Sequence, residues 1–167
     1  QWRSGTVSNI IAVLSGSRLV VGDGLMTDRA DTPPAGTAFA TGNKLLVSGE
    51  GSLLSVAKSD TIIGYNFNES WLVVSDHAEA VFTPKGKTGS DVVLGYRSGS
   101  NSNRLEVVDW ASLTGQNIKV GNGTFENRVY VGDHATLDLS NFYVGVAGGS
   151  SNRVVVTDGA QLIAKNF

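Results

Sequence analysis

The feature that most constrains this chain is that one phrase is written over and over. NRVYVGDHATL from Asn127 returns as NRLEVVDWASL from Asn103 and NRVVVTDGAQL from Asn152, and more loosely as NKLLVSGEGSL from Asn43 and SWLVVSDHAEA from Ser70. A second phrase ending in glycine follows: Asp60-Thr61-Ile62-Ile63-Gly64, Asp91-Val92-Val93-Leu94-Gly95, Asn117-Ile118-Lys119-Val120-Gly121 and Asn141-Phe142-Tyr143-Val144-Gly145. Self-similarity with a period in the twenties means that no unit can bury its apolar face alone, so neighbouring units must stack.

Anchored on the residue after the Asn position, the series runs Arg18, Lys44, Trp71, Arg104, Arg128, Arg153, in steps of 24 to 33 residues. Apolar residues alternate within each unit: Leu45 and Val47, Leu72 and Val74, Leu105 and Val107, Val129 and Val131, Val154 and Val156. Period two in short Val-rich runs predicts strands with these residues on one face. A turn follows, then a second strand with inward candidates Gly51 and Leu53, Ala78 and Ala80, Ala111 and Leu113, Ala135 and Leu137, Ala160 and Leu162. The third strand carries Thr61 and Ile63, Val92 and Leu94, Ile118 and Val120, Phe142 and Val144, and ends at a glycine free to take positive φ. Three strands in so short a unit leave no room for a crossover helix. The expected fold is all-β, a right-handed parallel β-helix (β-solenoid) of about six coils of 24–33 residues. It forms one domain over residues 1–167, with loop insertions near 28–41 and 84–90 where the pattern breaks. Asn166-Phe167 aligns with Asn141-Phe142, and Thr6-Val7-Ser8-Asn9-Ile10 with the start of a third strand, so a repeat is expected at each end.

Stacking turns each repeated position into a column. Asn43, Asn103, Asn127 and Asn152 are expected to form an amide ladder that satisfies turn backbone. Asp76, Asp109, Asp133 and Asp158, with Asp23 before them, are expected to cap turns as Asx-turns; bridging by calcium is the alternative. His77 and His134 share one position two coils apart, about 10 Å at the strand spacing, too far for one metal to bridge. The cation column Arg18, Lys44, Arg104, Arg128 and Arg153, interrupted by Trp71, reads as a solvated corner with an acidic polysaccharide as its alternative ligand.

Outward positions carry more information. Val20, Leu46, Val73, Tyr130 and Val155 on the first strand, and Ile62, Val93 and Tyr143 on the third, are apolar or aromatic where a solvated strand face would be polar. These eight are the candidate assembly face, to be covered by the 28–41 loop or by another copy of the chain.

Composition narrows the function classes. A net charge of -2 argues against nucleic acid as a partner, and zero cysteines exclude disulfides and thiolate metal sites. No apolar run is long enough for a membrane helix, so no membrane insertion is expected. Gly86-Lys87-Thr88 lacks the leading glycine of a phosphate loop, since position 81 is Val, while Asn68-Glu69-Ser70 and Asn122-Gly123-Thr124 have only the form of glycosylation sequons. No triad or convergent acid pair stands out, so no catalytic residue, metal site or cofactor is expected, and the chain reads as not an enzyme.

The pattern N-R-V-x-V-x-D-G-A-x-L, with x-V-G and a Ser/Asn/Gly-rich turn after it, resembles repeats of large bacterial surface proteins of the autotransporter and haemagglutinin-like adhesin type over residues 43 to 167. That resemblance implies a β-helix exported to the bacterial cell surface or beyond, with a role in adhesion or in building an extracellular layer or filament. The expected function is a structural β-solenoid segment whose partners are copies of itself or adjoining repeats. The rival is a carbohydrate-binding module that holds a surface glycan through Tyr130, Tyr143, Trp110 and the arginine column. A polysaccharide lyase or hydrolase is a third reading, resting on fold analogy alone.

Overall fold

A computed structural model describes residues 9–23, 25–26, 42–57, 60–66, 68–83, 91–97 and 99–167. Both expected insertions, 28–41 and 84–90, lie outside the described residues. The strands run in chain order: β1 (Ile10–Leu14), β2 (Arg18–Val21) and β3 (Leu25–Met26); β4 (Lys44–Ser48), β5 (Leu53–Ala57) and β6 (Thr61–Ile63); β7 (Trp71–Ser75), β8 (Glu79–Thr83) and β9 (Asp91–Leu94). Then come β10 (Arg104–Val107) and β11 (Ser112–Val120), β12 (Arg128–Val131) and β13 (Thr136–Val144), and β14 (Arg153–Val156) and β15 (Gln161–Asn166). The one helical element among the described residues is a 3-10 turn at Val146–Gly148.

The chain is all-β, and its sheets are parallel. One sheet has the order β1-β4-β7-β10-β12-β14. Its register stacks Lys44, Trp71, Arg104, Arg128 and Arg153 on one another, as the repeat requires. The other sheet has the order β2-β5-β8-β11-β9-β6-β3, with β13 pairing β11 and β15. Every paired strand lies one repeat away in sequence, and this pairing is consistent with a β-solenoid.

Four local expectations are corrected. The first-face strand at the base of the stack is β1, with Ile10 opposite Lys44, whereas Arg18 pairs with Leu53 on the second face. Arg-Leu-Val-Val imitates the repeat locally, but Asn9 sets the register by giving its backbone N–H and side-chain amide to Asn43 Oδ1, both at 3.0 Å. Asn9-Ile10 thus opens a first strand rather than a third, and Val20 and Asp23 leave their assigned columns. In the second unit the inward residue is Leu54, opposite Ala80, not Leu53. The cause is one extra turn residue: Ser52, not Gly51, takes the place of Ala78, and its Oγ–H donates to the Ser48 carbonyl at 2.8 Å. A single-residue slip exchanges the two faces of a strand.

The fourth correction concerns strand number. β11 and β13 are each nine residues long and run along both the second and third faces. Ser112–Thr114 pairs with β8 while Asn117–Val120 pairs with β9. Earlier units have separate strands there because residues 58–60 and 84–90 intervene. Gly115 sits at the junction, where an added Cβ would meet Leu139 Cδ2 at 3.5 Å.

The core is the set of inward columns. Val47, Leu72, Val74, Leu105, Val107, Val129 and Val131 from the first face meet Leu54, Ala80, Leu113 and Leu137 from the second and Ile63, Leu94, Ile118 and Phe142 from the third. Full burial of each Val, Leu, Ile or Phe contributes about 1.5–3 kcal/mol, so the stacked columns are the main source of cohesion.

Candidate functional site

The expected amide ladder is present, with Asn43, Asn103 and Asn127 fully buried and Asn152 half-buried. Asn103 gives its backbone N–H and its side-chain amide to Asn127 Oδ1 (3.1 and 3.0 Å), and Asn127 gives both to Asn152 Oδ1 (3.0 Å each). Ser70 stands where the third unit lacks Asn, and its backbone N–H donates to Asn103 Oδ1 at 3.0 Å. The glycines that end the third strands make room for this ladder. A Cβ on Gly121 (φ +73°) would lie 2.1 Å from Asn152 Nδ2, and one on Gly64 would likewise run into the Asn103 amide. Glycine is required there both for its positive φ and for close approach.

A second amide ladder went unread in the sequence. Asn141 Nδ2 donates to Asn117 Oδ1 at 2.5 Å, and Asn166 Nδ2 donates to Asn141 Oδ1 at 2.6 Å. The signal was the Asn that opens the phrases Asn117-Ile118 and Asn141-Phe142.

The Asp column lies on exposed turns. Asp76, Asp109, Asp133 and Asp158 have φ between 51° and 54°, and His77, Trp110, His134 and Gly159 after them are also positive. Two consecutive left-handed residues are the mark of a type I′ turn, closed here by main-chain bonds such as Ala135 N–H to the Gly132 carbonyl at 3.1 Å. What Asp supplies is tolerance of the left-handed region rather than the expected Asx cap. Turns also stack on one another: His77, Trp110 and His134 donate their N–H groups to the carbonyls of Asp109, Asp133 and Asp158, all at 2.9 Å. Among the described residues, no three His, Asp or Glu side chains converge on a point that could hold a metal ion.

Beside Asp76, Asp109 and Asp133 the side chains form a ring stack. Trp110 lies between His77 (centroids 6.5 Å apart, planes 8° apart) and His134 (4.4 Å, 5°). Tyr65 stacks on Tyr96 at 5.1 Å under the Arg97 guanidinium. Trp71 does not simply interrupt the cation column: Arg104 lies 4.6 Å and Lys44 5.7 Å from its indole centroid, from the rungs on either side. Tyr65, Trp71 and Trp110 thus each make a ring contact with a neighbouring rung.

The eight candidate assembly residues divide. Ile62 (3% exposed) and Val93 (2%) are buried with Tyr65 in a small cluster outside the main core, so the chain itself covers that part of the third face. Val73 is buried as well. Val20 is exposed but faces out beside Ser55 on the second sheet. Leu46, Tyr130 and Val155 are half-buried in one column with Val73 and Glu106, and Tyr143 is exposed beside Lys119. Tyr130 folds over Gly132, where a Cβ would lie 2.7 Å from its Cε1, and carries the Arg128 guanidinium 5.3 Å from its centroid. Burial, then the carboxylates of Asp158 and Asp133, hold its phenol above the ordinary tyrosine value.

The last rung differs from those before it. Val156 is 43% exposed whereas Val131, one rung earlier in the same column, is 0% exposed. Leu162 and Ala164 are half-buried, and Phe167 packs on Phe142 at 5.4 Å while remaining largely exposed. No family model matches this sequence, and neither the curated proteins nor the solved structures contain a match.

Proposed function

We propose that this chain is a structural segment: a right-handed parallel β-helix of about six coils that associates with further rungs in an extracellular filament, layer or adhesin stalk at a bacterial surface. The handedness follows the strong preference of parallel crossovers. The observation that carries the role is the shared direction of the interactions between units. The main-chain bonds between strands, both amide ladders, the stacked turns and the ring stacks run from rung to rung, which makes a stiff body with a repeating edge. That edge presents Val156 and Leu162 in the columns that Val131 and Leu137 fill one rung earlier. A further rung, from the same polypeptide or from another copy, would cover them and continue the pairing. Leu46, Tyr130, Val155 and Tyr143 are the residues left for side-by-side contact; Ile62, Val73 and Val93 are already covered.

The carbohydrate reading keeps its aromatic anchor only in part. Sugar rings stack on aromatic faces, and His134 lies against Trp110 at 4.4 Å while the indole remains 61% exposed. The lyase or hydrolase reading rests on fold analogy alone.

Electron microscopy of the purified chain at rising concentration tests the proposal. End-to-end rods whose length grows with concentration are the expected result. Monodisperse short particles at every concentration would refute self-association.

A further inference from the structure

A groove of about 450 Å³ runs across the rungs on the outside of the buried amide column. Asn43, Ser70 and Asn103 point inward and are fully buried. The residues that follow them, Lys44, Trp71 and Arg104, line the groove together with Glu69 and Ser102, which precede the second and third, and with Ile10 from β1. Its volume falls within the roughly 300–1,000 Å³ typical of small-ligand sites.

The chemistry of this lining is specific. Lys44 and Arg104 lie 5.7 and 4.6 Å from the centroid of the one Trp71 indole, from the rungs on either side, so two cations are already positioned before any ligand arrives. Glu69 is exposed, and Glu106 lies 3.9 Å from Arg104, so the patch is not simply cationic. A bare polyanion such as a phosphate chain would meet repulsion from Glu69. A ligand whose carboxylates are spaced by hydroxyl-bearing units would meet less: its carboxylates pair with Lys44 and Arg104, while its hydroxyls donate to Glu69. Lys44 and Arg104 stand on either side of the Trp71 rung, about 9.6 Å apart at the strand spacing, so carboxylates borne two pyranose residues apart on a linear sugar chain can reach both.

We propose that this groove binds a linear acidic polysaccharide, with Lys44 and Arg104 as its carboxylate-binding residues and Glu69 as a hydroxyl acceptor. The site stands apart from the assembly proposal, since it lies on the side of the rod and needs only one copy of the chain.

The test is calorimetry on the full chain at dilute concentration with three probes: an oligogalacturonate, its fully methyl-esterified form and inorganic polyphosphate. Saturable binding of the oligogalacturonate alone is expected, with at least a tenfold loss in the double variant Lys44→Gln/Arg104→Gln and little change in Arg153→Gln. Ile10→Asp, at an exposed position, places a carboxylate at the groove without touching the Trp71 stack and should weaken binding at least fivefold with the thermal midpoint unchanged. It keeps the test valid where the double variant fails to fold. Absence of oligogalacturonate binding, equal binding of the ester, equal binding of polyphosphate, or equal loss in Arg153→Gln would each overturn the assignment.

Discussion

The middle of the strand stack and its base solve the same problem with different completeness. Between Asn103 and Asn152 the rungs advance by 24 and 25 residues, the second and third faces share continuous strands, and the Asn ladder is unbroken. At the base, Ile10 lies 34 residues from Lys44, β2 and β3 are short separate strands, and Ile10, Ile11, Leu14 and Val20 are exposed. Where the period is strict, each inward column is filled by apolar side chains and the ladder amides find partners in the next rung, although Gln116 Oε1 and Arg128 Nε are buried there with no hydrogen-bond partner among the described residues. Where insertions vary the period, Ser70 replaces Asn, and Thr61 puts a hydroxyl with no hydrogen-bond partner among the described residues into the core column of Val92, Ile118 and Phe142.

The contrast is sharpest at the glycines. Gly121→Ala places a methyl group 2.1 Å from Asn152 Nδ2 at φ +73°, and about 4 kcal/mol of destabilisation by urea unfolding is expected from strain plus the displaced ladder. Gly16→Ala at the base shares the positive φ, but its nearest neighbour is 3.7 Å away, so only the left-handed penalty of about 1–2 kcal/mol should remain. Equal costs at the two sites would break the distinction between ladder and turn.

The amides should rank the same way. Asn127→Ala removes the acceptor of two Asn103 bonds and the donor to Thr124 Oγ1 and Asn152 Oδ1 within a fully buried site. A loss of about 3 kcal/mol is expected, because the partners are left buried and unpaired. Asn9→Ala, at a half-buried position, should cost about 1 kcal/mol on the same scale. The smallest effect has the opposite sign: Thr61→Val removes an orphaned hydroxyl and should stabilise the chain by about 1 kcal/mol. A destabilised Thr61→Val protein would mean that the hydroxyl has a use not visible in its surroundings.

Much of the middle was legible in the sequence, and the reason is redundancy. Arg104, Arg128 and Arg153 each follow an Asn and precede alternating Leu or Val, so three copies vote on one register. The base offered a single copy, and Arg18-Leu19-Val20-Val21 satisfies the same period-two rule from the neighbouring face. The slip at Leu53 came from one added turn residue, which period two cannot see. The groove was beyond reach for another reason. Trp71 looked like a gap in a cation column, and only stacking reveals that it holds the cations on either side of it.

The central claim, that like positions of successive rungs lie directly over one another, can be tested with a disulfide, because the chain has no cysteine of its own. Asp138 and Ile163 are exposed register partners of β13 and β15, so their Cα atoms stand at about the 4.8 Å strand spacing, within the roughly 4.4–6.8 Å a disulfide spans. Asp138→Cys/Ile163→Cys should oxidise completely to an intramolecular bridge in the folded protein. Asp138→Cys/Gln161→Cys, offset by two residues and about 8 Å apart, should stay reduced. Equal bridging in both pairs, or none in the first, would contradict the stacked register.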